Sequence, residues 1–265
     1  MGHPVYHLEL DVRHCRAELR LNDMPLISLT SHDPLPVTFA PPINPFLVGE
    51  LNIIDVEILP LVDDAGVPTS TFWDAKIEGN VRRFEKDDIF APGAGDVVTE
   101  FTIPDELIER VREEELELPQ HFSHIFSNEV IDFSGELSDA PPFHDRDALL
   151  DYAVHLRDLT AAGNVAGMLA EMDAKIQVWV AAYDETYEAF ADSLREELES
   201  FFAERPITDF ERDQIELRSC CGGRLWELMK APGLPLLQTG PDAAGGTTQL
   251  PIIVGLRDAA LRVVR

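Results

Sequence analysis

The chain has 265 residues, 45% of them hydrophobic, with 49 acidic against 21 basic side chains and a formal net charge of −28. The apolar share excludes a wholly disordered chain, and the lack of any long apolar run predicts no membrane-spanning helix. The charge argues against nucleic acid as a direct partner, because displacing counterions from a phosphate backbone takes lysine and arginine; an anionic membrane surface is disfavoured for the same reason.

The first hundred residues read as β. Val5–Val12 alternates, with Tyr6, Leu8, Leu10 and Val12 on one face and His7, Glu9 and Asp11 on the other. Such a period of two predicts a strand with one buried side. Cys15–Leu21 alternates again, Asn22-Asp23 predicts a turn and Pro25–Leu29 a return strand. Val37–Phe39 follows a proline-punctuated loop and is expected at a sheet edge. Leu51–Leu59, Phe72–Phe84 and Asp96–Ile103 complete a rhythm that predicts a β-sandwich. Asp105–Leu118 carries apolar residues near helical spacing, and Gln120–Leu137 predicts one or two further strands. Ser138-Asp139-Ala140-Pro141-Pro142 predicts a linker, since its proline pair disfavours both helix and ladder. The expected organisation is therefore two domains, 1–137 and 143–265.

Beyond the linker the period changes. Asp145 or Asp147 is placed to cap a helix through Leu159, Gly163 ends it, and Asn164 caps a second. Ile176, Trp179, Tyr183, Tyr187, Phe190, Leu194, Leu198 and Phe201 then fall at spacings of three and four. That pattern predicts one long helix on the order of 40 Å. Gln214–Cys220, Arg224–Lys230, Leu234–Thr239, Gln249–Leu256 and Leu261–Val264 predict a closing series of strands, with Gly222-Gly223 as a hairpin turn. The fold class expected is α+β: a β-sandwich followed by a domain of helices and a curved sheet.

The run Leu156-Arg157-Asp158-Leu159-Thr160-Ala161-Ala162-Gly163-Asn164-Val165-Ala166-Gly167-Met168-Leu169, with the helices and terminal strands around it, resembles the NTF2-like (cystatin-related) superfamily over about 120 residues. The N-terminal half resembles an immunoglobulin-like sandwich in strand rhythm. The first resemblance implies a small-molecule pocket between helices and sheet, for which Tyr152, Trp179, Tyr183, Tyr187 and Trp226 are the candidate ligand-binding residues. An aromatic stripe at helical spacing is more often simply part of a packed core.

His121 and His124 lie on opposite faces of a strand, and His3 and His7 share a face without further ligands in register, so no metal site is assigned. His155 is expected to be structural. Cys220 and Cys221 beside Arg218 and Arg224 offer a thiol pair, of which one must face the core. There is no GxSxG, GxGxxG, P-loop or HExxH motif. No catalytic residue and no cofactor is assigned.

Residues 1–142 hold 28 acids against 9 bases, so most of the field belongs to the first half. Three readings of that acidity stand: a solvated surface, adaptation to a salt-rich cytoplasm, or a surface that steers a basic partner. The leading expectation is a non-catalytic interaction, adaptor or inhibitor-type protein whose partner is basic. The alternative is a small-molecule-binding protein or enzyme using the helix-and-sheet pocket. Three cysteines and no basic-then-apolar leader fit a cytoplasmic protein.

Overall fold

A computed structural model describes all residues except 1–2, 30–35, 64–66, 70–74, 87, 129–130, 138–139, 205, 232 and 242–245. The chain is α+β, and its contacts divide it into two compact units, Met1–Gly135 and Glu136–Arg265. No described helix is long and apolar enough to cross a membrane.

In the first unit, β1 (Val5–Arg13) alternates buried and half-buried residues as its sequence predicts. Beside it come β2 (Arg16–Leu21), β3 (Met24–Leu29) and the short β4 (Val37–Phe39). Asn22 and Asp23 join β2 to β3 with φ of 53° and 65°. Both residues in the left-handed region make the twisted two-residue turn that suits a hairpin. β5 (Leu51–Leu59) is followed by the two-residue strands β6 (Leu61–Val62) and β7 (Pro68–Thr69), and by β8 (Lys76–Phe84) and β9 (Asp96–Thr102). The strand expected from Phe72 is described only from Lys76 on, since 70–74 lie outside the described residues. α1 (Asp105–Arg112) and β10 (Gln120–Ser127) follow.

Two four-stranded antiparallel sheets result, in the orders β4-β1-β8-β9 and β10-β5-β2-β3. They share one core: Leu8, Leu10 and Val81 come from the first, Leu19, Leu21 and Val56 from the second. Each such side chain taken fully out of water contributes on the order of 1.5–3 kcal/mol.

β10 stops at Ser127, and among the described residues between it and Leu137 no second strand is present. There the chain makes a short helix, α2 (Ser134–Leu137), where the division between the units falls. At Asn128 the buried side-chain amide accepts from Ile131 N–H at 2.7 Å and donates to Ile131 O at 2.8 Å. A side chain that supplies both partners competes with ladder pairing. Residues 138 and 139 of the expected linker lie outside the described residues.

In the second unit Asp145 caps α3 (Arg146–Ala161), its carboxylate accepting from Ala148 N–H, and Asn164 caps α4 (Val165–Glu171) in the same way through Gly167 N–H. The single long helix expected over Ile176–Phe201 is instead two, α5 (Asp173–Tyr183) and α6 (Tyr187–Glu204). Asp184 closes α5 in the left-handed region, with φ 51° and ψ 38°. Thr186 opens α6, its hydroxyl accepting from Ala189 N–H at 3.3 Å. Asp tolerates the left-handed region and Thr is a good helix starter, so the break is encoded.

β11 (Ile215–Cys220), β12 (Leu225–Lys230), β16 (Ile252–Arg257) and β17 (Ala260–Val263) form an antiparallel sheet in that order. The two-residue strand β13 (Leu234–Pro235) pairs with β12, and β14 (Leu237–Gln238) pairs with β15 (Gln249–Leu250). Leu149, Leu156, Met168, Ile176 and Leu198 of the helices close over Leu228, Ile252, Val254 and Val263 of the sheet.

Candidate functional site

A concave feature lies on the outer face of β1, β8 and β9. Alternation sends Leu8, Leu10 and Val12 inward, which turns Glu9 and Asp11 outward. Strand register then sets Glu9 beside Asn80 and Asp11 beside Glu78, with Asn80 beside Glu100 and Glu78 beside Thr102 on the far strand. These side chains line a groove of about 630 Å³, to which Phe39 and Pro92 add apolar surface.

The carboxylates of the groove differ in how they are matched. Glu9 is nearly enclosed, held by Arg82 Nε at 2.9 Å and by Gly93 N–H at 2.8 Å. Arg82 also donates to the carbonyls of Gly93 and Ala94, so this pair ties the β8–β9 loop down. The Arg13 guanidinium, 2.8 Å from Asp11, holds the Asp11 carboxyl below the usual carboxylate range through a hydrogen bond, with Lys76 adding to the effect. Lys76 Nζ reaches Glu78 at 2.6 Å. Glu100 is exposed and, among the described residues, has no hydrogen bond or ion pair. Four carboxylates therefore line the groove, and three of them are paired with cations outside its lining, Arg82, Arg13 and Lys76.

The five aromatic residues singled out from the sequence make different contacts. Trp179 and Tyr183 lie together on α5 with ring centroids 5.5 Å apart, and Trp179 also stacks on Phe190 at 5.9 Å. Tyr187 is 42% exposed and donates to Asp173 at 2.6 Å, bracing the break between α5 and α6. Trp226 donates to Phe143 O at 2.7 Å. Tyr152 donates to Glu171 at 2.7 Å.

That last contact opens onto a second constellation, whose centre, Glu171, no sequence motif marks. The half-buried Glu171 carboxylate at the end of α4 takes Tyr152 on one oxygen, His155 Nε2 at 3.1 Å on the other, and Arg262 of β17 at 3.3 Å. Burial and the neighbouring Glu171 carboxylate push the Tyr152 phenol well above its ordinary range. Tyr152 thus acts as a donor, and the Glu171 carboxylate as the acceptor its neighbours share.

The histidines and cysteines find other roles. His7 stacks on Phe90 at 4.3 Å and its Nδ1 lies 3.0 Å from Ala40 O. His121 faces Glu57 at 3.5 Å, while His124 turns the other way to Thr99 at 2.7 Å. Cys15, Cys220 and Cys221 are all free and buried. Burial pushes the Cys15 thiol up to about 11, out of the range of a nucleophile at neutral pH.

No protein-family model matches the chain, no curated protein matches it, and no solved structure matches it.

Proposed function

We propose that the chain is a non-catalytic interaction protein that takes a basic segment of a partner protein along the outer face of β1, β8 and β9. The observation that carries this reading is the groove itself, in which carboxylates from three adjacent strands exceed their cations and Glu100 stands unmatched. An arginine or lysine of the partner would meet Glu100 directly and would compete with Arg13 and Lys76 for Asp11 and Glu78. The acidic remainder of the chain would steer encounter from a distance and make association salt-dependent. Three free buried thiols suit a cytoplasmic setting.

Binding of a fluorescein-labelled arginine-rich peptide to the whole chain tests the reading. Glu100→Gln combined with Asp11→Asn should weaken binding at least tenfold. Glu188→Gln combined with Asp192→Asn, which removes the same charge from the exposed face of α6, should leave it nearly unchanged. Equal effects would reduce the attraction to diffuse charge. If the acidity is a salt adaptation instead, the melting temperature should climb with molar salt while the peptide stays unbound.

A second reading, a small-molecule site or enzyme in an NTF2-like unit, draws support from the Glu171 hub. A carboxylate that fixes one nitrogen of a half-exposed imidazole leaves the other to act as a base. Ethoxyformylation of His155 should then outpace that of His144 and slow in Glu171→Gln.

A further inference from the structure

The two four-stranded sheets of the first unit end on β4, β9, β3 and β10. Short strands, bulges, proline and charge are the ordinary protections of such edges against further pairing. β4 is only three residues long. The register of β9 slips against β8 between Val81 and Arg82. That of β3 slips against β2, and its Pro25 has no N–H to offer. β10 has none of these devices. Its eight residues, Gln120–Ser127, pair with β5 in unbroken register and include no proline, lysine, arginine or carboxylate.

Register identifies the backbone groups at this open edge. Asn128 N–H donates to Glu50 O at 3.1 Å, one step beyond the β10–β5 ladder. In an antiparallel ladder alternate residues turn their backbone toward the partner strand. Phe122, His124 and Phe126 therefore bond to β5, while His121, Ser123, Ile125 and Ser127 turn N–H and C=O to the free edge. Among the described residues nothing accepts from those four N–H groups. Their side chains lie on the outer face of the sheet. Ile125 is 61% exposed opposite Ile53 at 41%, and Leu51, beside Ser127, is 62% exposed. Behind Ser123 and His121 stand Asp55 and Glu57, and Glu18 of β2 lies beside Glu57. The arginines of β2 are engaged elsewhere, Arg20 by Asp23 and Arg16 by Pro60 O.

We propose that the free edge of β10 is a docking site for an extended segment of a partner protein, which adds an antiparallel strand and presents two aliphatic residues, then two arginines or lysines, at alternate positions. The backbone of that segment meets the unpaired N–H and C=O groups, as in recognition by strand addition. Its aliphatic side chains cover Ile125 and the Ile53 and Leu51 side chains behind it. Its cations reach over Ser123 and His121 toward Asp55 and Glu57. Charge decides against a second copy of this chain as the occupant: each copy carries −28, and β10 offers no lysine or arginine to the acids of the other. The edge belongs to the sheet opposite the groove, so the site stands whether or not the groove binds a basic segment.

The probe is the peptide acetyl-Leu-Thr-Ile-Val-Arg-Val-Arg-amide, and the readout is residue-resolved amide hydrogen exchange of the whole chain. With the peptide in excess, exchange at Ser123 and Ile125 should slow by about tenfold or more. Exchange at Phe122, His124 and Phe126, already bonded to β5, should change little. The same peptide methylated on the backbone nitrogens of its Ile and first Arg keeps its charge and loses its pairing edge, and should give no protection. Ser123→Pro and Ile125→Lys, checked for folding by circular dichroism, should each abolish the effect. Unchanged exchange at Ser123 and Ile125 would overturn the proposal, even if the peptide binds elsewhere on the chain. Equal protection by the methylated peptide would overturn it too, as would protection without peptide accompanied by a dimer mass in sedimentation. Because the exchange is read on the native sequence, the test stands even if either variant fails to fold.

Discussion

Phe101 occupies the space that a side chain at position 79 would need: a Cβ added to Gly79 would lie 2.3 Å from the Phe101 ring. The two residues are register partners across β8 and β9, and Phe101 is 8% exposed. The glycine is thus the seat of the aromatic ring that closes this end of the core. Gly79→Ala should destabilise the first unit by about 1–3 kcal/mol through overpacking. Phe101→Ala alone should cost about 3–5 kcal/mol. Because the clash disappears with the ring, the double variant should be less destabilised than the sum. Urea midpoints for the four proteins give the coupling, and strict additivity would refute the packing account.

Asn44 provides a second test. It is fully buried, donates to Pro4 O and accepts from Tyr6 N–H, both at 2.8 Å, and so anchors the start of β1. Asn44→Ala strands two buried backbone groups and should cost about 2–3 kcal/mol. Hydrogen exchange at Tyr6 should rise sharply in the variant, while the second unit is unaffected.

The break between α5 and α6 makes a conformational prediction. At Asp184 the backbone is left-handed, so Asp184→Val should destabilise the second unit by about 1–2 kcal/mol while Asp184→Asn remains close to neutral. Chemical denaturation followed by Trp179 fluorescence reads this directly. A harmless valine would mean that the two helices run on as one.

His124 predicts a pH effect. Desolvation lowers its proton affinity in the folded state below the ordinary value of 6.5. Protonation then favours the unfolded chain. The contribution is complete above 6.5 and is lost as pH falls through that value and on toward the folded one. The stability difference between the native sequence and His124→Gln should shrink between pH 7 and 5. The comparison between the two proteins removes the opposite trend expected from relief of carboxylate repulsion at low pH.

Local pattern carries far in this chain, and its failures have identifiable causes. β1, β5 and the Asn22-Asp23 turn were legible because alternation and turn chemistry act over a few residues. The α5–α6 break was hidden because the apolar spacing of three and four continues through Asp184-Glu185-Thr186, although those residues are themselves a stop and a start. Glu9 and Asp11 were visible as one polar face. Their company with Glu78 and Glu100 depends on the strand order β1-β8-β9, which no short pattern reveals. Glu171 could not be distinguished in a chain with 49 acids, since its three partners come from α3 and β17.

The pairing of β1 with β8 has a consequence for how the chain is made. Arg82 and Glu9, which lock the two strands, are 73 positions apart. At about 5–20 residues per second, β1 must wait several seconds on the ribosome before its long partner exists. During that interval the apolar face of Tyr6, Leu8, Leu10 and Val12 is open to other nascent chains. The acids on its opposite face, Glu9 and Asp11, repel a second copy of the same strand aligned on it. The residues that line the groove in the finished protein therefore also guard the strand against aggregation before its partner is synthesised, and neutralising both should lower soluble yield more than it lowers the stability of the purified protein.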